Sequence, residues 1–508
     1  MRKIKNIIIA LSVLIAFYSC DDFLDEKPNK NSSLTITSVE QLNYLLNNYS
    51  IFYQESNRAL IYSTDDYGLY TELVDAKLNA YGIANVQFAT WDIDNLPLDT
   101  RESFWSSEYN KIFSANLVLY NLPKVSGADE LKEKLKREAH LVRAYSLWSL
   151  AQTYCLPYNE ANKKELGLSL KRSTSFEENV ERATLEETYN FIESDLQEAL
   201  KLTNKMEFVN NKYKSWRGSK AAANAFAARF YLTQGDYTKA LEHADVALQE
   251  HDLLLDYNLE MRYSDIPSNV TVDGVTIGIK YPYTHDNQSD MSDMMEWKEF
   301  YYFRMLYNES WWYVPSKELL ALYDKTYDLR YKYHMVENYS YDRGLISPAY
   351  EYPGYVFFYK DRIPSGPTVA EMLLIKAEAL ARDNKLDEAM NTVNLLRAKR
   401  IDSNAPSSFI NLTASDREEA VLMILEERRR EMPFSQRWND IRRLNNNQDT
   451  FDDIPELKRE FYEYTNAAIL TSSPIKTYML EKGSRRFAAP IHETEIESSK
   501  GVIKQNSY

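Results

Sequence analysis

The chain predicts a mostly all-α protein: a tetratricopeptide-like helical-repeat scaffold carrying irregular, partly β insertions. Three observations lead there. Residues 219–250, SKAAANAFAARFYLTQGDYTKALEHADVALQE, read as two helices broken at Gly235-Asp236, with Tyr231, Gly235, Tyr237, Ala240, Ala244 and Ala247 at tetratricopeptide offsets. A shift of 149 residues finds a second copy at 368–400, where Asn384 replaces the glycine and Ala389 matches Ala240. Between the copies, residues 256–364 lose helical periodicity and fill with aromatic side chains.

Taken in order, residues 62–105 (STDDYGLY, NAYG, TWDIDN) are aromatic and irregular. In 129–154, Leu131, Leu135, Ala139 and Val142 recur at helical spacing, so a long amphipathic helix is predicted that ends before Pro157. A second helix is predicted over 183–202, where Thr184 and Glu187 are spaced as a capping box. In both repeats the small alanines let paired helices approach closely, and Gly235 and Asn384 suit a left-handed turn residue. The middle insertion holds an Asp-Gly hairpin signal, VTV-DG-VTI at 270–277, and a strand-like YVFFYK at 355–360. Trp311-Trp312 precede VPSKELLALYD, a helix start with Ser316 as N-cap, so one of the two tryptophans is expected to pack inward. Helix pairs are thus expected at about 104–156, 183–250 and 366–432, with insertions at about 62–103 and 256–364.

The first residues fix a location. Arg2, Lys3 and Lys5 precede an apolar run from Ile7 to Tyr18, and Ser19-Cys20 is followed by Asp21, Asp22, Asp25 and Glu26. The run is too short to span a hydrocarbon layer of about 30 Å, and it reads as a secretory signal peptide over 1–19. A cysteine after a small residue is the lipoprotein pattern: cleavage before Cys20, acylation on its sulfur, and an acidic tether over 20–33. Phe17-Tyr18 are bulkier than usual ahead of such a cut.

Removing 1–19 takes away three basic and no acidic residues, which deepens the formal charge from −15 to −18. A chain so acidic is no general nucleic-acid binder, and anchoring to an anionic membrane has to come from lipid. Cys155 is the only cysteine besides Cys20, so no disulfide framework exists. Tyrosine is over-used, 39 against 20 Phe. Its flat face and polar edge suit a surface that binds yet stays wet, although half-buried helix positions account for most of these residues.

No enzyme signature is present: there is no P-loop, HExxH or G-x-S-x-G, and the six histidines lack metal-ligand spacing. No cofactor is expected, and no loop motif supports a structural calcium ion. A sugar ring needs an aromatic plane for its C–H face and Asp, Asn or Arg for its hydroxyls, because an unmet buried polar group costs about 1–3 kcal/mol. Two stretches offer both. One holds Asp65, Asp66, Tyr67, Tyr70, Tyr81, Trp91 and Asp92; the other holds Trp297, Tyr301, Tyr302 and Arg304. Trp105, Tyr109, Trp148 and Tyr154 sit on periodic helices and are expected in the core. The charged run Arg428–Arg430, Glu431, Arg437, Trp438, Asp440 and Arg442 reads as structural, with guanidinium groups tying carboxylates of neighbouring helices.

Six blocks in order resemble one family, the SusD-like (RagB/SusD) nutrient-binding outer-membrane lipoproteins: CDDFLDEKP; Trp105-x₃-Tyr109-x₂-Ile112-x₃-Asn116; REAHLVRAYSLWSLAQTY at 137–154; residues 371–400; ERRREMPFSQRWNDIRRL at 427–444; and RRFAAPIHETEIESSKGVIKQNSY at 485–508. The closing block departs locally, with His492 where the family commonly has Pro after Ile491. The resemblance implies a helical fold over 34–508 as one globular domain, lipidation at Cys20, and display at the cell surface. It also implies an oligosaccharide ligand and a partner, a SusC-type TonB-dependent outer-membrane transporter. Peptide or receptor binding in the same setting, and a scaffold that never touches cargo, are the alternatives.

Overall fold

The computed structural model describes residues 36–508 apart from 78, 94–95, 97–102, 176, 263–267, 273–274, 280–293, 311–312, 340–351 and 359–360. The signal peptide, Cys20, the tether and Trp311-Trp312 therefore lie outside the described residues. The rest is mostly helical, with small two- and three-stranded sheets.

The scaffold consists of α1 (Ser103–Asn121), α2 (Asp129–Tyr154), α3 (Leu185–Ala199), α4 (Lys220–Thr233), α5 (Tyr237–Glu250), α6 (Val369–Arg382), α7 (Leu386–Arg400), α8 (Arg417–Glu431) and α9 (Arg437–Leu444). Successive helices pack as α1 on α2, α2 on α3, α4 on α5 and α6 on α7, while α5 lies on α6 and joins the two recognised repeats. Sequence chemistry explains the joints. The alanines of α4 and Ala240, Ala244 and Ala247 of α5 are fully buried, so the pair closes at short range. Gly235 (φ 74°) and Asn384 (φ 60°) both take the left-handed conformation expected of the repeat turns. The predicted capping box opens α3: the Thr184 hydroxyl accepts from Glu187 N at 3.1 Å, and the Glu187 carboxylate accepts from Thr184 N at 2.9 Å. Ser316 caps Lys317–Ala321 by accepting from Leu319 N at 3.1 Å.

The insertions are more ordered than their sequence indicates. Region 62–103, read as irregular, contains helices Thr71–Ala76 and Ile83–Ala89. The hairpin signal is realised: Ser268–Val272 pairs antiparallel with Val275–Ile279, Val272 facing Val275. The strand near 355–360 sits earlier, at Tyr352–Tyr355 against Met335–Tyr339, and Val356, Phe357 and Phe358 leave the ladder to bury their side chains. A three-stranded sheet ties the start of the chain to the middle insertion: Gln54–Glu55 runs parallel to Met305–Tyr307, which pairs antiparallel with Arg362–Pro364. The late hairpin Glu456–Tyr462/Ile475–Glu481 has no clear strand signal, because Arg459 and Lys476 take places on the face that Leu457, Phe461 and Leu480 bury and so break the apolar alternation expected of a strand. Among the described residues no helix is long and apolar enough to cross a membrane.

Candidate functional site

The two insertions meet. Gly68 N donates to Val314 O and Ser316 N to Asp66 O, both at 2.7 Å, and Ser316 Oγ donates to Asp65 O at 2.6 Å. Tyr62 Oη donates to Asn308 Oδ1 at 2.7 Å, and Tyr70 Oη to Pro315 O at 2.7 Å. Gly68 is required at this seam, since a Cβ would stand 2.4 Å from the Tyr70 ring and 2.7 Å from Pro315 O. The late hairpin closes the third side: Arg459 donates to the carbonyls of Thr64 and Tyr67, and its guanidinium lies 5.6 Å from the Trp91 ring.

These three segments enclose an open cleft of about 480 Å³, lined by Tyr67–Glu72, Ser316–Glu318, Lys458–Glu460, Ile475 and Thr477. Tyrosine forms its floor, Tyr70 being 8% exposed, with the Lys317 ammonium 5.7 Å from that ring. Glu72, Glu318 and Glu460 stand at the rim. Beside it the hairpin presents half-buried Tyr462, Tyr464 and Tyr478; Tyr462 Oη donates to Asp75 at 2.7 Å, and Tyr464 stacks on Tyr478 at 5.7 Å. The cleft itself is mostly polar, with three carboxylates, Lys317, Lys458, Arg459 and Thr477 around the buried Tyr67 and Tyr70, and the partly exposed rings stand beside it on the hairpin. Carboxylates and ammonium groups can hydrogen-bond a polyhydroxylated ligand while neighbouring rings cover its C–H face.

The sequence-predicted residues divide between this cleft and the interior. Tyr67 and Tyr70 line the cleft. Tyr81 lies behind them, its hydroxyl donating to Gly68 O at 3.1 Å and accepting from Tyr70 N at 3.0 Å. Trp91 is 1% exposed and donates from Nε1 to Ser63 O at 2.9 Å; Asp92 accepts from Tyr464 Oη at 3.3 Å. Asp65 and Asp66, expected to meet ligand, are held by arginines instead. Asp65 is bidentate to Arg437 at 2.7 Å, and Asp66 accepts from Arg429 at 2.7 Å and from Phe434 N at 2.8 Å. Burial acts to raise the Asp65 carboxyl, but Arg437 and Arg429 overcome it and hold it well below the usual carboxylate range.

The second predicted set is not brought to the cleft. Trp297 packs edge-on against Phe357 and Phe358 at 4.9 and 5.6 Å, Tyr301 donates to His251 O at 2.5 Å, and Arg304 donates to Tyr302 Oη at 2.6 Å while lying 4.0 Å from its ring. All four are at most 5% exposed. The correction has one physical cause. Irregular chain leaves carbonyls and amides without ladder partners, and tyrosine hydroxyls, indole N–H and guanidinium groups satisfy them while their flat parts fill the core. The same residue types that suit a sugar therefore suit a loop-rich interior. Tyr462, Tyr464, Tyr478 and Lys317 carry no local signal of their own in the sequence, because what places the three tyrosines is the late hairpin and the turn it leads into, whose strands lack a clear alternation.

The arginine-rich motif is structural, as expected. Arg428 bonds Asp440 at 2.9 and 3.0 Å and Glu371 at 3.3 Å; Arg443 bonds Glu378 at 2.6 and 2.8 Å and Asp440 at 2.7 Å. Burial alone would raise Glu378, yet Arg443 and Arg382 bring it down to about 2.

Comparison with known proteins agrees with this architecture. Residues 22–232 match the SusD-like family described as starch-binding and associating with the outer membrane, and residues 369–508 match the SusD family. A SusD-like protein of Formosa agariphila is 26% identical over 381 residues, spanning 67% of this chain and 71% of the relative. Among solved structures, a SusD superfamily protein from Bacteroides thetaiotaomicron superposes with a TM-score of 0.61 at 17% identity, covering 93% of this chain and 100% of the other. A SusD-like carbohydrate-binding protein from Bacteroides vulgatus gives 0.58 at 16% identity, covering 92% and 97%. A laminarin-binding SusD-like protein gives 0.55 at 17% identity, covering 93% and 99%. The chain belongs to the SusD-like family.

Proposed function

We propose that this protein is a cell-surface lipoprotein, anchored through Cys20 in the outer membrane, that binds an oligosaccharide and delivers it to a SusC-type TonB-dependent transporter without covalent chemistry of its own. One observation supports the binding role above others. Two insertions some 250 residues apart in sequence, together with the late hairpin, converge on a single open cleft of about 480 Å³. Its charged and hydroxyl-bearing lining suits a sugar's hydroxyls, the half-buried Tyr462, Tyr464 and Tyr478 beside it suit the C–H face, and relatives of this fold include a carbohydrate-binding and a laminarin-binding protein. Anchoring and transporter partnership rest on family membership and on the Ser19-Cys20 sequence.

A glycan-array screen of the purified protein, followed by calorimetry with peptides, tests the reading. Selective capture of a neutral glycan family is the expected result. Peptide binding with a silent array would replace the cargo, and silence in both assays would leave only a scaffold role.

A further inference from the structure

The late hairpin gives the cleft one wall, with Lys458, Glu460, Ile475 and Thr477, so the shape of the cleft depends on how the hairpin sits against residues 62–72. Its inward face buries Leu457, Phe461 and Leu480. Arg459 stands between Leu457 and Phe461 on that same face, half-buried where an apolar residue would continue the pattern.

Arg459 differs from the other arginines that reach this turn. Arg429 and Arg437 are ion-paired, to Asp66 and to Asp65, both at 2.7 Å. Arg459 forms no ion pair among the described residues; Asp65 and Glu318 act on it only through space, and burial pushes it down from its ordinary value. Its hydrogen bonds go to backbone instead. It donates to the carbonyls of Thr64 and Tyr67 and to that of Tyr62 at 3.4 Å, while its Nε is buried without an acceptor. A guanidinium withdrawn from water with no carboxylate beside it is a poor way to gain stability, and an apolar side chain would hold this face of the hairpin at lower cost.

The same turn carries a second unfavourable feature. Trp91, whose ring lies 5.6 Å from the Arg459 guanidinium, takes a left-handed φ of 58°, a strained conformation for a bulky residue. In that conformation its Nε1 donates to Ser63 O at 2.9 Å. An unpaired arginine and a strained tryptophan thus converge on Ser63–Tyr67, the turn that runs directly into the cleft floor at Tyr67 and Tyr70. What they fix there is geometry.

We propose that Arg459 is a positioning residue of the glycan cleft, an assignment that rests on the binding role proposed above. It fastens the late hairpin to the Thr64–Tyr67 carbonyls, so that the wall holding Lys458, Glu460 and Thr477 keeps a fixed distance from the wall formed by Tyr67–Glu72.

Arg459→Ala and Arg459→Lys, each measured in two ways, test this. In the ligand-free protein, hydrogen exchange of amides in 456–462 and 475–481 should quicken by about tenfold or more in Arg459→Ala and stay unchanged in α4 and α5. Calorimetry with the array-selected glycan should show affinity weakened by about tenfold or more in Arg459→Ala, and Arg459→Lys, which keeps a donor for one carbonyl, should recover part of it. Unchanged exchange in the hairpin, or faster exchange throughout the fold, would overturn the assignment. Absence of glycan binding by the unaltered protein would remove the cleft's binding role and this assignment with it; quickened hairpin exchange with full affinity would remove this assignment alone.

Discussion

The paired repeats and the insertions bury their backbones in different ways. In α4 and α5 every turn supplies its own hydrogen bonds, so small apolar side chains suffice and alanine dominates the contact. In the segment 62–92 the chain bends repeatedly, and its carbonyls are met by side chains: Gly68 O by Tyr81, Ser63 O by Trp91, Asp65 O by Ser316, and those of Thr64 and Tyr67 by Arg459. The α4–α5 pair is held by shape. The insertion half is held by polar aromatics and arginine, and that is the region that opens a cleft.

This contrast can be broken most severely at its aromatics. Replacing Trp91 and Trp297 together by Ala removes two indoles that are 1% and 5% exposed, and each should destabilise the fold by about 3–5 kcal/mol. Thermal unfolding followed by circular dichroism should show a large drop in midpoint. An unchanged midpoint with lost binding would instead make these residues a ligand platform. Arg400→Ala comes next. Arg400 joins α7 to the middle insertion through Glu299 at 2.9 and 3.0 Å and to the end of α8 through Glu431 at 2.9 Å, and leaving those carboxylates buried should cost about 3–5 kcal/mol in chemical denaturation.

Acid should loosen the insertion half through His334. Burial holds its imidazole down to about 4; Nδ1 donates to Val356 O at 2.9 Å, Nε2 accepts from Tyr257 Oη at 2.9 Å, and the ring stacks on Phe357 at 4.6 Å. The unfolded chain takes up that proton near its ordinary pKa of 6.5, so the contribution is complete above 6.5 and is lost as pH falls toward 4. The loss should total about 3 kcal/mol, and His334→Gln should flatten this part of the stability–pH profile. The smallest effect belongs to the repeats: Gly235→Ala meets open space but must hold φ near 74°, so it should cost only about 1 kcal/mol in the same denaturation assay.

The repeats were legible because their signals are local. Gly235, Asn384 and Thr184, like Ser316 in the middle insertion, each dictate a turn or a cap from within a few residues, and each does in the structure what its type predicts. The cleft was legible only in part. That recognition belongs in the aromatic insertions follows from composition, but which way Tyr67 or Trp297 points depends on contacts far along the chain, such as Arg459 with Tyr67 and Phe357 with Trp297. The partners of Asp65 and Asp66, Arg437 and Arg429, lie more than 360 residues further along the chain, in a motif that reads as structural by itself.

The most direct test of the account is calorimetry of the array-selected glycan against the double variant Lys317→Ala/Glu318→Ala, whose side chains edge the cleft without holding the fold together. Binding weakened by about tenfold or more, with an unaltered thermal midpoint, is the predicted result. Full affinity in that variant would contradict the claim that the converging insertions form the binding site.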